Sequence, residues 1–388
     1  MIWQTKPIGE FCRTGSGGTP SREQEAKYYS GTIPWVKSGE LRESIVFDTE
    51  EKITEVALKE TSVKMIPSGA LLVAMYGATV GRIAILGIEA TSNQAVCHIV
   101  PDEKIADQRY MFHALQQQVP KWLEQRVGGA QPNISQQIIR NTPIPLPPLE
   151  EQRRIAAILD KADEVRRKRR EAIRLTEELL RSQFLEMFGD PISNPKGWRS
   201  VELEHLAKVT DGTHKTPTYL DFGVPFLSAR NVRSHKIDWQ DTRFISQAEH
   251  ESLTRRCHPQ KGDVLLTKSG TIGEAAVVDR DMEFSLFESV ALIKLKDSSI
   301  HPIFLATLLN EPCVRSHYSG DIKGVAVKHL HLVDIKRLPI ILPSQDKQDL
   351  FLQQATKTWE CRSKLSQAYA KSEGFFNSLL QQAFRGEL

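Results

Sequence analysis

Two glycine-rich turns and one histidine pair are where residue type and spacing in this 388-residue sequence could support chemistry. The turns are Gly77-Ala78-Thr79-Val80-Gly81-Arg82 and Gly270-Thr271-Ile272-Gly273-Glu274. Glycine there permits positive φ or a close approach to a phosphate, but neither turn has the G-x-x-x-x-G-K-[ST] or G-x-G-x-x-G frame that a nucleotide site needs. They are read as strand-to-strand turns. His329 and His331 stand two apart with no further ligand motif, which suits a loop or strand better than a metal site. No H-E-x-x-H or G-x-S-x-G occurs. Asp102 and Glu103 sit in a turn without the separation that metal-dependent nucleic-acid cleavage requires. No cofactor fold or catalytic loop for methyl transfer is apparent either, so the expectation is a chain with no catalytic centre and no metal.

Recognition is the chemistry that remains. Base edges are read by Arg, Lys, Asn, Gln, Ser and Thr held on a rigid scaffold. In the first half of the chain the candidates are Thr19, Ser21, Arg22, Lys37, Ser38, Tyr76, Arg82, Gln131 and Asn133. In the second half they are Lys215, Thr216, Arg230, Asn231, Arg233, Lys268, Ser269, Lys323 and Lys328. Any one of them could be an ordinary solvated loop residue; as two matched sets they carry more weight.

These residues need elements to position them. Ile33–Val36, Ala70–Met75, Ile83–Leu86 and Ala95–Val100 read as strands bounded by Gly, Pro or polar clusters, and Asp107 to Gln125 reads as a helix. Residues 1–149 therefore have the texture of an α/β or α+β domain. A long helix follows over 150–188. Its apolar stripe runs through Ile155, Ile158, Leu159, Ala162, Val165, Ala172, Ile173, Leu179, Leu180, Phe184 and Met187. Pro147-Pro148 and acidic Glu150-Glu151 mark its entry, and Gly189 with Pro191 marks its end. At 1.5 Å per residue it spans about 55–60 Å, the length of a spacer or of half a coiled coil. Arg166-Arg167-Lys168-Arg169-Arg170 is read chiefly as a solvated face balanced by neighbouring carboxylates. Arg169 is the exception, since it falls on the apolar stripe.

The end of the chain supplies a candidate partner. A second stripe over 346–388 passes through Phe351, Ala355, Leu365, Ala368, Phe375, Phe376, Leu379, Leu380 and Ala383. A shift of 196 lays Pro147 on Pro343, Gln152 on Gln348, Ser182 on Ser378 and Phe188 on Phe384. Residues 189–345 repeat the first half as well: Trp3 matches Trp198, Pro34-Trp35 matches Pro225-Phe226, and Gly77 matches Gly270. The expected architecture is a duplicated domain-plus-helix unit with approximate two-fold symmetry. The residues expected to pack helix on helix are Ile155, Ile158, Leu159, Ala162, Val165, Leu179, Leu180, Phe351, Leu365, Phe375, Phe376 and Leu379.

Composition narrows the setting. With 40% hydrophobic and 26% charged residues the chain has ordinary globular composition, and a net charge of +3 permits nucleic-acid binding without arguing for it. Cys12, Cys97, Cys257, Cys313 and Cys361 are odd in number and lack C-x-x-C spacing, which fits a reducing cytoplasm. Met1-Ile2-Trp3-Gln4 does not begin a signal peptide, and no run approaches ~18 apolar residues. A cytoplasmic chain with no membrane partner is expected.

The ordered motifs resemble a known family. Gly17-Gly18-Thr19-Pro20-Ser21 is followed by Ile33-Pro34-Trp35, then Tyr76-Gly77-Ala78-Thr79-Val80-Gly81. Ile144-Pro145-Leu146-Pro147-Pro148-Leu149-Glu150-Glu151-Gln152 comes next, then Phe188-Gly189-Asp190-Pro191 and Asn194-Pro195-Lys196-Gly197-Trp198. Together they resemble the specificity (S) subunits of type I restriction-modification systems. The resemblance implies two tandem α/β (α+β) target-recognition domains, 1–149 and 189–345, and two conserved helices, 150–188 and 346–388, that pair as an antiparallel coiled coil. It implies a non-catalytic subunit that reads a bipartite, asymmetric site on double-stranded DNA. Two methyltransferase (M) subunits would dock on it, with restriction (R) subunits joining through them. S-adenosylmethionine, ATP and Mg would be bound by those partners and no cofactor by this chain. The second helix entry departs from the first, with Asp346-Lys347 in place of Glu150-Glu151 and one proline fewer. Two rivals remain: a self-contained enzyme, and a degenerate or regulatory S-type chain that binds methyltransferase without productive DNA recognition.

Overall fold

Apolar runs without polar alternation make strands buried on both faces, and such runs lie at the centre of each half of the chain. In the first, Leu71–Ala74 and Ile83–Leu86 are buried at every position; in the second, Val264–Thr267 is. The computed structural model describes residues 3–42, 44–124, 133–319 and 329–388. The chain forms two compact units, one of residues 1–170 with 366–388 and the other of 171–365. The helices Leu149–Phe188 and Gln345–Arg385 are therefore each shared between the units, and each unit combines a head with one half of each helix.

The first head has a five-stranded sheet in the order Cys12–Ser16, Val96–Pro101, Leu71–Ala74, Ile83–Leu86, Ile45–Val46, antiparallel except for its last pair. Beside it a three-stranded sheet places Tyr29–Val36 between Glu51–Ile53 and Thr91–Ser92. The second head repeats this with Ala207–Asp211, Val290–Leu295, Val264–Thr267 and Ala275–Val277, and a three-stranded sheet centred on Val224–Leu227. A strand pair closes each head just before its helix: Thr5–Pro7 with Pro143–Pro145, and Arg199–Glu202 with Pro339–Leu342. Gly17 and Gly212 show why the repeat keeps glycine there. A Cβ on them would stand 2.1 Å from the Ser92 carbonyl oxygen and 2.0 Å from that of Leu286.

A buried glutamine ties each head to its helix. Gln152 is 1% exposed; its Oε1 accepts from Asp107 N at 2.8 Å, and its Nε2 donates to the carbonyls of Ile105 (2.9 Å) and Pro147 (2.8 Å). Gln348, fully buried, does the same with His301 N (2.9 Å) and the carbonyls of Ser299 (3.0 Å) and Pro343 (3.1 Å). Each amide thus satisfies a head-helix amino terminus, the turn before it and the proline entry at once.

In the first unit the paired helix halves run antiparallel. Arg154 donates to the Leu388 carbonyl (2.8 Å), Arg166 to Glu373 (2.8 Å) and Arg169 to the Ala368 carbonyl (2.8 Å). Ile155, Leu159, Phe376 and Leu380 pack with the head core around Leu71, Ile83 and Tyr110. In the second unit Arg362 meets Glu177 at 2.5 Å, and Phe184, Phe188, Phe304 and Phe351 form an aromatic cluster with Phe188 and Phe304 centroids 4.9 Å apart.

The helix stripe needs correction at three places. Val165, Leu179 and Phe375 are 42%, 49% and 61% exposed and lie outside the packed seam. Each is next to a residue that takes the inward position instead: Arg166, Leu180 and Phe376. Consecutive helical residues are about 100° apart, so only one of two neighbours can face the seam. Ile158, Ala162, Leu365 and Leu379 are half-buried, and Ile155, Leu159, Leu180, Phe351 and Phe376 are buried. The basic run is only partly a solvated face. Arg166 is 6% exposed, with its Nε on Asp163 at 2.6 Å and its guanidinium 4.4 Å over the Phe376 ring.

Replacing Gln152 or Gln348 by Leu keeps volume but leaves buried backbone groups unsatisfied. We expect a loss of about 2–4 kcal/mol for either change in urea denaturation. Asp160 latches the first head in a second way, accepting from Arg109 Nε at 3.0 Å and contacting His113 Nε2 at 2.7 Å. Burial alone would raise its carboxyl, but the His113 and Arg109 hydrogen bonds hold it down to about 2. A folded value below the unfolded ~3.9 means the contribution is present above that value and lost as pH falls towards 2. Asp160→Asn should flatten stability against pH in that window, measured by denaturation between pH 2 and 5.

Candidate DNA interface

Backbone hydrogen bonds sew five loop segments of the first head together where its two sheets meet. Gly17 N donates to Val96 O (3.1 Å), Gly18 N to Ser92 O (2.9 Å), Asn93 N to Val36 O (2.9 Å), Met75 N to Ala95 O (2.8 Å) and Ile134 N to Met75 O (2.7 Å). The second head repeats the stitching. Thr213 N donates to Leu286 O (2.9 Å), Phe287 N to Leu227 O (2.8 Å), Lys268 N to Ser289 O (2.8 Å) and Leu330 N to Lys268 O (2.8 Å). A rigid scaffold thus gathers the turn after the first strand, the turn after the central strand and the glycine turn on one rim of each head.

In the first head most of the candidates border this rim. Thr19, Ser21, Arg22, Arg82 and Asn133 are exposed, and Lys37, Ser38 and Tyr76 half-buried. Tyr76 bridges Asn133, and the glycine turn between Tyr76 and Arg82 needs φ of +81° at Gly77 and +82° at Gly81. Arg22 and Lys37 come together on one carboxylate. Arg22 Nη2 is 2.6 Å from Glu51 with its guanidinium 4.0 Å above the Tyr29 ring, and Lys37 Nζ is 3.0 Å from Glu51 and 2.8 Å from Glu50. Hydrogen bonds to Glu50 and then Glu51 raise the Lys37 ammonium above its ordinary range. Both cations are held in place and must exchange a carboxylate to meet a phosphate. Ser38 opens a tight turn in which Glu40 accepts from Lys37 N at 2.6 Å. Gln131 lies outside the described residues.

The second head requires corrections. Lys268 is 2% exposed, with its Nζ 2.6 Å from the buried Asp211 carboxylate, so it presents nothing to a ligand. It holds the backbone position that Met75 holds in the first head, and its side chain enters the interior as that of Met75 does. Asn231, also 2% exposed, closes its own turn, accepting from Ser228 N (3.0 Å) and donating to Asp241 O (2.8 Å). Arg233 sits on the hairpin of Val232–Arg233 with Lys236–Ile237, paired at 3.6 Å with Glu274 at the end of the glycine turn, and lines a cavity beside the helices. Lys215, Thr216 and Arg230 are exposed, Arg230 paired with Asp241 at 2.6 Å, and Ser269 is half-buried at the start of the glycine turn. Lys323 and Lys328 lie outside the described residues.

Several rim residues were not among the candidates. Gln94 hydrogen-bonds Tyr76, whose phenol burial shifts upward. His214 spans Asp211 (3.2 Å) and Glu288 (3.1 Å), and Arg256 also reaches Asp211. His214 was legible, being next to Lys215 in the loop that matches Thr19-Pro20. Asp211, Glu288 and Arg256 come from separate strands and turns and carry no local signal. His329 and His331 stack edge to face with ring centroids 5.7 Å apart.

A family model described as type I restriction modification DNA specificity domain matches residues 2–175, which take in the whole first head and its rim. The first half of the chain is thus similar to the type I restriction modification DNA specificity domain. It is 26% identical to the MjaIX specificity subunit of Methanocaldococcus jannaschii over 88% of this chain and 83% of that one. With the EcoBI specificity subunit of Escherichia coli the identity is 25% over 77% and 69%. The crystal structure of the S subunit from M. genitalium superposes with a TM-score of 0.55 at 14% identity, covering 98% of this chain and 96% of that one. A chain from work on complex assembly and conformational transition of the type I R-M system gives 0.54 at 20% identity, over 100% and 98%. These two likenesses show a shared fold that runs through both heads and both helices of this chain.

The buried pair in the second head gives a direct test. Lys268→Met alone takes a buried cation from the buried Asp211 carboxylate, leaving it the exposed Arg256 and His214, and should cost about 3 kcal/mol. Lys268→Met with Asp211→Ser removes both buried charges, setting the residue types of Met75 and the exposed Ser16 at the corresponding positions, and should lie within about 1 kcal/mol of the parent in denaturant titrations.

Proposed function

We propose that this chain is the DNA-recognition subunit of a type I restriction-modification complex and is not itself an enzyme. The observation that carries the proposal is the duplicated rim: one backbone scaffold appears twice, each copy pinned by a buried glutamine to a long helix, and the family match supports it. Each head reads a few base pairs with rim side chains while neighbouring contacts to phosphate fix its register. Tyr76, Asn133 and Gln94 suit base contact in the first head. Lys215, Thr216 and His214 suit it in the second. Arg82 suits a phosphate because it is exposed and at the edge of its turn.

The two rims differ in nearly every side chain, so the two half-sites differ and the target is asymmetric. The exposed remainder of the helix pair, with Val165, Leu179 and Phe375 outward, suits docking of two methyltransferase subunits, to which restriction subunits attach. S-adenosylmethionine, ATP and Mg are then bound by those partners. The methyltransferase extrudes its adenine from the duplex at a cost of a few kcal/mol. No described helix is long and apolar enough to cross a membrane.

The test is co-expression with the cognate methyltransferase subunit and sequencing for modified adenines, each partner alone serving as control. Modification at one bipartite gapped motif only when both are present supports the proposal. Methylation by this chain alone overturns it, and a complex that forms without site-specific methylation points to a regulatory chain. Tyr76→Ala should relax specificity in one half-site only. Arg82→Ala should weaken binding to all sequences alike and lower the salt slope by about 1.

A further inference from the structure

The second unit holds a cavity of about 440 Å³ where its hairpin, its head helix and both long helices meet, a volume suited to a small ligand. The first unit shows how the duplicated scaffold fills the same place. His113 stands six residues after Asp107, whose N–H Gln152 accepts; Thr307 stands six after His301, whose N–H Gln348 accepts. The offset of 196 that carries Gln152 to Gln348 also carries Leu180 to Phe376. In the first unit His113 and Phe376 are buried with ring centroids 6.1 Å apart. In the second, Thr307 and Leu180 stand at those positions and line the opening.

The opening is charged. Among the described residues Arg181, Arg233, Arg315 and Arg362 converge on it, with the carboxylates Glu177, Glu274 and Glu311. Their pairings are Arg181 with Glu311 (3.4 Å), Arg233 with Glu274 (3.6 Å) and Arg362 with Glu177 (2.5 Å), while Arg315 donates to Asn310 and Ser234 (2.7 Å each). Glu311 is 4% exposed, and burial pushes its carboxyl up to about 7 despite Arg181, so it brings less than a full negative charge to the lining near neutrality. Burial, with Arg362 and Arg315 nearby, lowers His235 to about 4, so its imidazole is neutral. Its ring lies 5.5 Å from that of Trp359, and the Trp359 indole N–H is buried with no hydrogen-bond partner among the described residues.

We propose that this cavity binds a small organic anion carrying phosphate or carboxylate oxygens on a flat ring. Guanidinium forks match either oxyanion bidentately, the Trp359 N–H supplies a further donor, and the Trp359 and His235 rings offer a face for the ligand's own.

The full-length chain should be titrated by calorimetry with adenosine monophosphate and phthalate, which separate phosphate from carboxylate, and with adenosine and citrate, which lack the charge or the ring. We expect saturable binding of adenosine monophosphate or phthalate with Kd below about 1 mM. Thr307→His with Leu180→Phe, which installs the first unit's filling, should keep the parent's melting temperature and lose binding at least about tenfold. Trp359→Phe keeps a ring without the N–H and should weaken binding severalfold. The proposal is overturned if neither anion binds, if adenosine or citrate binds as well, or if the filled variant folds and binds like the parent, which would place the ligand elsewhere. If the filled variant does not fold, unchanged affinity in Trp359→Phe overturns it.

Discussion

The structure depends first on the satisfaction of buried backbone groups where a head meets a helix. A head-helix amino terminus, a turn carbonyl and a proline-entry carbonyl all lose water at that junction, and in each copy one glutamine amide serves all three. Only a side chain with both donor and acceptor at one end can do this. A charged residue would carry a desolvation cost, and an apolar one would leave three orphans. The glutamine therefore couples the angle of the helix to the fold of the head. The prolines that precede it fix the entry so that its amide arrives in register.

The helix pair uses polarity differently. Around Arg166 the seam of the first unit changes from aliphatic to ionic, with Asp163 and Arg166 buried and Glu373 reaching in from the other helix half. Such a group adds little net stability over an apolar seam, but it penalises any slip that would separate the charges. The Arg169 guanidinium, bonded to the Ala368 carbonyl, adds a second such constraint nearby. Large apolar residues one step off the seam are left outward, a surface that suits a partner chain.

The two rims show how duplication permits divergence. Their backbones are stitched by the same hydrogen bonds, yet behind the rim one copy places the apolar Met75 and the other the buried Lys268 and Asp211 pair. That pair also recruits His214 and Arg256, so the second rim is organised by charge and the first by packing and by Glu51. The scaffold tolerates both because strand ends are fixed by backbone bonds that do not depend on side chain. Divergence at the helix junction follows the same logic, with His113 and Phe376 filling in one unit what Thr307 and Leu180 leave open in the other.

Much was legible in the sequence. Periodicity located the long helices, unbroken apolar runs located the doubly buried strands, and glycine marked both turns and both close approaches at Gly17 and Gly212. Self-similarity at an offset near 196 identified the duplication and paired Gln152 with Gln348 before any geometry. These are local signals or repeats of them, and local backbone preference dictates them. Tertiary structure decided which of two adjacent helical residues faces the seam, as at Val165 with Arg166 and Phe375 with Phe376. It also decided that Lys268 and Asn231 turn inward while Lys215 and Arg230 remain outside. For Lys268 and Arg166 the outcome rests on partners far along the chain, Asp211 and Glu373. A charged side chain reads alike in sequence whether water or a distant carboxylate receives it; only the fold brings the carboxylate near.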